Sequence, residues 1–417
     1  MSTKLKVTIV ASSLAILLFT IVGGFVHVNA STSDGPYRQL SVYSEVLSRI
    51  RLEYVEEPNI AGVTDGALHG LLESLDANSS YLSAEEYKRY KAAIKNDGKA
   101  NIGAAVSKRF GYADVVAIIP GGPAEKAGIE NSDIIESIEG KSTHDMSLAE
   151  IRSMLSGEVG TTISVAVVRP RKAEPQKIVI TRDIVAIPPV GEKMLADNVG
   201  YIQVDAFPEG ESQEVAGKIR DLQKQGAKKL ILDLRNSAAG AESEGIATAN
   251  LFLDHGTITY LQGQKYPKQA FNADASKDVT KLPVAVLVNR GTAGPAEIVA
   301  SAILENARGD VVGDKTFGDG SVQKLIEMPD NSALILSVAK YYSPAGKAIQ
   351  DVSVTPNVLV ADSTEDEAGL PDEEEQPAVV GSPGAKPGDK KEEKPKNLPD
   401  EQLNKALEVL KNRESKG

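Results

Sequence analysis

Thr292, Ser301, Ser321 and Lys315 put three hydroxyls and one amine into a short stretch of this chain. A hydroxyl becomes a nucleophile when a neighbouring base takes its proton. Lysine serves as that base when burial lowers its pKa. Ser321 or Thr292 with Lys315 is therefore a candidate dyad. Each residue also has a plain structural reading: turn residue, helix residue, strand start and exposed loop cation. Asp319 could act as a general base or coordinate a ligand, but a carboxylate between Gly318 and Gly320 is more often a turn former. The four histidines are His27, His69, His144 and His255, and none stands in an HxxxH or HxH pair. With no cysteine either, thiol chemistry is excluded, and no metal site or other cofactor is expected. A Ser-His-Asp triad finds no support, because His255 sits in an ordinary Leu-Asp-His-Gly turn.

The elements that would position such residues can be traced along the 417-residue chain, long enough for two or three domains. Its net charge is −12 and it has no Lys/Arg-rich run, so nucleic acid is not an expected partner. Lys4 and Lys6 precede an uncharged apolar run, Val7 to Val28, long enough to span a bilayer. Positive charge on that side favours a cytoplasmic N-terminus, with the rest exported. Val28-Asn29-Ala30 resembles a signal-peptide cleavage site, but the run is longer than a usual signal core. Residues 1–30 are therefore read as a retained membrane anchor. The bulk of the chain is then extracytoplasmic (periplasmic) in a bacterial envelope, or secreted if the anchor is cut.

Residues 31–94 read as a helical module. Leu40, Tyr43, Leu47, Ile50 and Tyr54 recur at helical spacing over 37–57. A second helix is expected from Thr64, as N-cap, to Leu75. Ser83-Ala-Glu-Glu has the form of a capping box opening a third. Residues 95–172 carry short β-rich runs, 115–119, 134–138 and 162–168, and a helix from Ser147 to Leu155. Residues 173–361 alternate strand and helix, which predicts an α/β core with largely parallel strands. Residues 362–398 are rich in Glu, Asp, Pro, Gly and Lys, the composition of a disordered linker. An amphipathic helix follows within 399–417, with Leu403, Ala406, Leu407 and Leu410 on one face.

This order of modules resembles the C-terminal processing (tail-specific) serine peptidases, and specific strings carry the resemblance over about residues 40–360. Asp65-Gly66-Ala67-Leu68, Gly70-Leu71-Leu72 and Ser80-Tyr81-Leu82 look like the family's N-terminal motif. Pro123-Ala124-Glu125-Lys126-Ala127-Gly128-Ile129 and Asp133-Ile134-Ile135 look like a PDZ domain. Leu232-Asp233-Leu234-Arg235-Asn236 resembles a family strand end, and Tyr341 to Gln350 resembles the segment YYTPSGRSIQ. The resemblance implies an α+β multidomain protein: a helical module, a PDZ β-sandwich or barrel-like domain, and a crotonase/ClpP-like α/β peptidase core.

The resemblance also implies where function should lie. In the PDZ unit, Asn101, Ile102, Gly103 and Ala104 match the loop and strand start that bind an extended C-terminus. The family string GSASASEI carries the nucleophile at its fourth position, which here is Gly294. The string TFGKGSVQ carries the lysine base, which here is Asp319, and the 25-residue spacing is kept. Gln323, which would orient that lysine, is present. The oxyanion donor after the nucleophile becomes Pro295, which has no N–H. The glycine pair that supplies the other donor reads Ala239-Gly240, so only Gly240 remains. Gly294 and Asp319 should lie close together if this correspondence is right. The expected protein is a membrane-anchored binder of unstructured protein C-terminal tails without proteolytic activity. The alternatives are an active serine endopeptidase using the displaced dyad, or a structural envelope protein. Homo-oligomerisation is left open.

Overall fold

The structure, a computed structural model, describes residues 36–95, 100–109, 111–169, 174–350, 352–361 and 399–414. The expected anchor and the acidic linker lie outside the described residues. Among the described residues, no helix is long and apolar enough to cross a membrane. The chain divides after Leu68 into two compact units.

The first unit holds the helix Pro36–Glu53 and the start of the helix Ile60–Glu73. Leu40 and Tyr54, from the expected apolar face, stay 60% and 62% exposed, so periodicity marked a helix here but not a buried stripe. Thr64 is not an N-cap. It sits one turn inside the second helix, with its hydroxyl donating to the Ile60 carbonyl, while the Asn59 side chain accepts the Gly62 amide. Asparagine satisfies an orphan amide at least as well as threonine, and the helix starts earlier for that reason.

In the second unit, strand β1 (Ser80–Leu82) is followed by the helix Ala84–Lys95. Ser83 and Glu86 form the expected capping box, each accepting from the other's amide. Next come β2 (Ala104–Arg109), β3 (Tyr112–Ile118), β4 (Ile134–Ile138), β5 (Lys141–Ser142), β6 (Thr162–Val168) and β7 (Gln176–Thr181). They form one antiparallel sheet in the order β2-β3-β4-β6-β7, with β5 on β4. The helix Leu148–Leu155 crosses it, capped by the Ser147 hydroxyl. Sequence reading ended this domain at 172. That boundary is too early, because β7 pairs with β6 along its whole length and Asp183 still bridges Asn101.

The core follows: β8 (Gly191–Leu195), β9 (Val199–Gln203), β10 (Lys229–Asp233), β11 (Thr257–Gln262), β12 (Gln269–Asn272), β13 (Val284–Val288), β14 (Gly309–Gly313), β15 (Ser321–Glu327), β16 (Ala333–Tyr342) and β17 (Val358–Leu359). One sheet runs β17-β14-β13-β10-β9-β8, parallel except at β8. Its inner strands β10 and β13 are buried on both faces, as a sheet covered on both sides requires. Leu230, Leu232, Val284 and Val286 meet the helices Glu211–Lys224 and Pro295–Glu305. Ile231, Ala285 and Leu287 point the other way, onto Ala406 and Leu410 of the C-terminal helix Glu401–Glu414. A second sheet joins β16 to β15, β11 and β1, so the early strand β1 is part of the core.

Candidate functional site: a glycine and an aspartate at the ends of parallel strands

In parallel sheets, sites form where chains leave the carboxyl ends of strands. Two such exits meet here. After β10 the chain turns at Asn236, whose φ of 56° asparagine tolerates better than most residues. Asn289, after β13, locks onto it: its side-chain oxygen accepts the Asn236 and Gly291 amides, and its side-chain nitrogen donates to Asn236 at 2.9 Å. The Ala293 amide donates to the Ser237 carbonyl. This lattice fixes Gly294, the residue that opens the helix Pro295–Glu305.

Gly294 has φ 58° and ψ −120°. A Cβ built there would have the Asp319 carbonyl oxygen as its nearest neighbour, at 3.9 Å. The two positions that the family pattern assigns to nucleophile and base are thus adjacent, with room for a side chain between them. Pro295 occupies the first turn, where its missing N–H leaves no helix bond unmade. Gly240 has φ 121°, and any Cβ would come within 2.2 Å of the Phe207 carbonyl oxygen. A parallel bridge there uses the Ala239 carbonyl and the Ala241 amide, and leaves the Gly240 amide out of the ladder.

Glu297 holds the site together, and sequence reading did not single it out. One carboxyl oxygen accepts from the Thr316 hydroxyl and from the Gly318 amide at 2.9 Å. The other accepts the Gly294 amide at 3.0 Å and the Asp319 amide at 2.8 Å. The side chain is fully buried. Burial pushes its carboxyl up to about 8, against the pull of these donors, and the Asp319 charge adds to the rise. Asp319 also receives the Asn78 side-chain amide at 3.3 Å. Its charge reaches Glu242, whose pKa is raised first by burial and then by Asp319.

The displaced hydroxyls lie elsewhere in their bonding. Thr292 is buried, donates to the Leu234 carbonyl at 2.8 Å and accepts the Asn289 amide. Ser301 is buried within its helix and donates to the Ile298 carbonyl. Ser321 accepts from Asn78 at 3.2 Å and from Gln323 at 2.7 Å. Gln323 turns to Ser321 and Ser337 rather than to Asp319. Lys315 is exposed, and among the described residues no hydrogen bond joins it to either Ser321 or Thr292.

A cavity of about 420 Å³ unites the site with the domain formed by β2–β7. Asn101, Ile102, Gly103 and Ala104 line one side, and Ala239 and Asp319 the other. Gly103 has φ 74°, and its amide donates to the side-chain oxygen of Asn101 at 2.7 Å. Arg152, on the helix Leu148–Leu155, donates across the groove to the Val106 carbonyl at 3.0 and 3.3 Å. The first is a local Asx-turn of the kind an Asn-x-Gly sequence favours; the second has no local signal, joining residues 46 positions apart. Among the described residues, no cluster of His, Asp or Glu could hold a metal ion.

Comparison with known proteins gives two family matches: Peptidase family S41 over residues 198–360, and PDZ domain over 115–169. A carboxy-terminal-processing protease of Bartonella bacilliformis is 32% identical over 338 residues, covering 80% of this chain and 77% of that protein. The carboxy-terminal processing protease CtpA of Bacillus subtilis is 33% identical over 363 residues, covering 87% and 75%. Among solved structures, a photosystem II D1 C-terminal processing protease superposes with a TM-score of 0.63 at 28% identity, covering 76% of this chain and 86% of that one.

Proposed function

The chain belongs to peptidase family S41, with the carboxy-terminal processing proteases, and we propose that it is a member that binds tails without cutting them. In this reading it is held in a bacterial membrane by residues 1–30, with its bulk extracytoplasmic, and its PDZ domain takes unstructured C-terminal tails. The apolar run Val7–Val28 behind Lys4 and Lys6 supports the anchoring. The observation that carries the loss of catalysis is the Gly294-Pro295 pair beside Asp319. A covalent mechanism needs a nucleophilic side chain, a base to accept its proton and a donor for the oxyanion. Glycine supplies no nucleophile. Pro295 supplies no amide, and the loss of one such donor alone costs a factor of roughly 10² to 10³. Asp319 carries the opposite charge to the lysine of the family pattern. The relatives are named as proteases; this chain keeps their scaffold around an emptied centre.

The test uses the full chain in detergent and a disordered substrate with an apolar tail. The expected result is binding with no cleavage. The variant Gly294→Ser, Pro295→Ala, Asp319→Lys should gain cleavage, since Glu297 still fixes both segments. Efficient cleavage by the unaltered protein, abolished by changing Ser321 or Thr292, would instead establish the displaced-dyad peptidase.

A further inference from the structure

A tail that joins the PDZ sheet adds as a strand beside β2, its carboxylate at the loop ending in Gly103. Two of the main-chain groups that such a tail would use are already engaged from within. The Asn101 side-chain oxygen takes the Gly103 amide at 2.7 Å, where a terminal carboxylate would sit. The Arg152 guanidinium takes the Val106 carbonyl, where an amide of the tail would donate. Arg152 belongs to the opposite wall, so the carbonyl it reaches points into the groove. Running antiparallel, the last residue of a tail lies against Ala104 and the third from last against Val106. Side chains two apart share a face of a strand. The last side chain enters the apolar floor around Ile119 and Leu155, and the third from last comes to Arg152.

We infer that Arg152 makes this groove selective for tails with an acidic residue two positions before the C-terminus. The inference rests on the tail-binding reading above. When the tail amide takes the Val106 carbonyl, the guanidinium gives up that acceptor but stays in the groove. A carboxylate arriving at the same point restores its hydrogen bonds as a charge-assisted, two-pronged pair. A lysine there meets a like charge. Asp319 lines the same cavity from the core and is the internal competitor for Arg152. It weakens the preference without reversing it, because it is held on the core by the Asn78 amide.

Three labelled peptides, ending in Glu-Ala-Val, Ala-Ala-Val and Lys-Ala-Val, decide this by fluorescence anisotropy with the full chain in detergent. The glutamate tail should bind about tenfold more tightly than the lysine tail, the scale of one charge-assisted contact. Arg152→Glu should invert that order, Arg152→Gln should erase it while the alanine tail still binds, and Asp319→Asn should widen it. Equal binding of all three by the unaltered protein, or an order unchanged in Arg152→Glu, overturns the selectivity and leaves tail binding standing. Failure of all three peptides to bind overturns both.

Discussion

Glu297 ties two chain segments to one carboxyl. Four donors reach it, two from the loop that carries Asp319, one from Thr316 and one from Gly294. Its role was hidden in the sequence because its partners lie up to 22 residues away and because a Glu three residues into a helix reads simply as an N-terminal cap. Gly294 and Asp319 were legible only through the family pattern; nothing local marks either residue as part of a site. The raised pKa of Glu297 makes a signed prediction. A group whose folded pKa lies above its unfolded value gives its full contribution to stability below the unfolded value. That contribution is lost as pH rises through the folded value. Here the window runs from about 4.5 to about 8. The difference in Tm between the unaltered protein and Glu297→Gln should therefore fall across that window. A difference that grows with pH would show that the four donors hold the carboxyl ionised.

Among the elements, the C-terminal helix Glu401–Glu414 stands out. Its apolar face was plain from Leu403, Ala406, Leu407 and Leu410, but periodicity says nothing about which surface a helix covers. The answer lies in β9, β10 and β13, whose alternate residues Tyr201, Ile231 and Leu287 are buried with Ala406 and Leu410. Arg235 fixes the helix start, donating through both terminal nitrogens to Asp400 at 2.9 Å. The same arginine binds Asp233 at the end of β10, six residues before Ala239. Strands such as β10 and β13 were readable because a sheet buried on both faces must be a continuous apolar run. Strand β1 was not, since three residues are too few to show a period. Leu410→Ala should destabilise the protein by about 3 kcal/mol in denaturant unfolding, the usual range for a buried leucine. A loss under about 1 kcal/mol would mean the helix leaves the sheet in solution, because an exposed truncation costs little.

For the molecule as a whole, what matters is that the PDZ groove and the space beside Gly294 and Asp319 are one cavity. The Val116 carbonyl of β3 lies 3.0 Å from where a Cβ on Gly291 would stand, so the PDZ domain packs directly on the loop leading to Gly294. A working peptidase would need that space open for a scissile bond. A binder needs only that a tail fit between the two walls, and the core wall then contributes to recognition as β2 does. Ala238 lines the cavity from the core side, outside the PDZ domain, and is partly exposed. Ala238→Trp should therefore weaken tail binding about tenfold, by filling volume that the tail occupies, with little change in Tm because no buried group is displaced. Anisotropy titration beside a thermal melt measures both. Unchanged affinity in a folded variant would place the bound tail wholly on the PDZ side and reduce the core wall to scaffold.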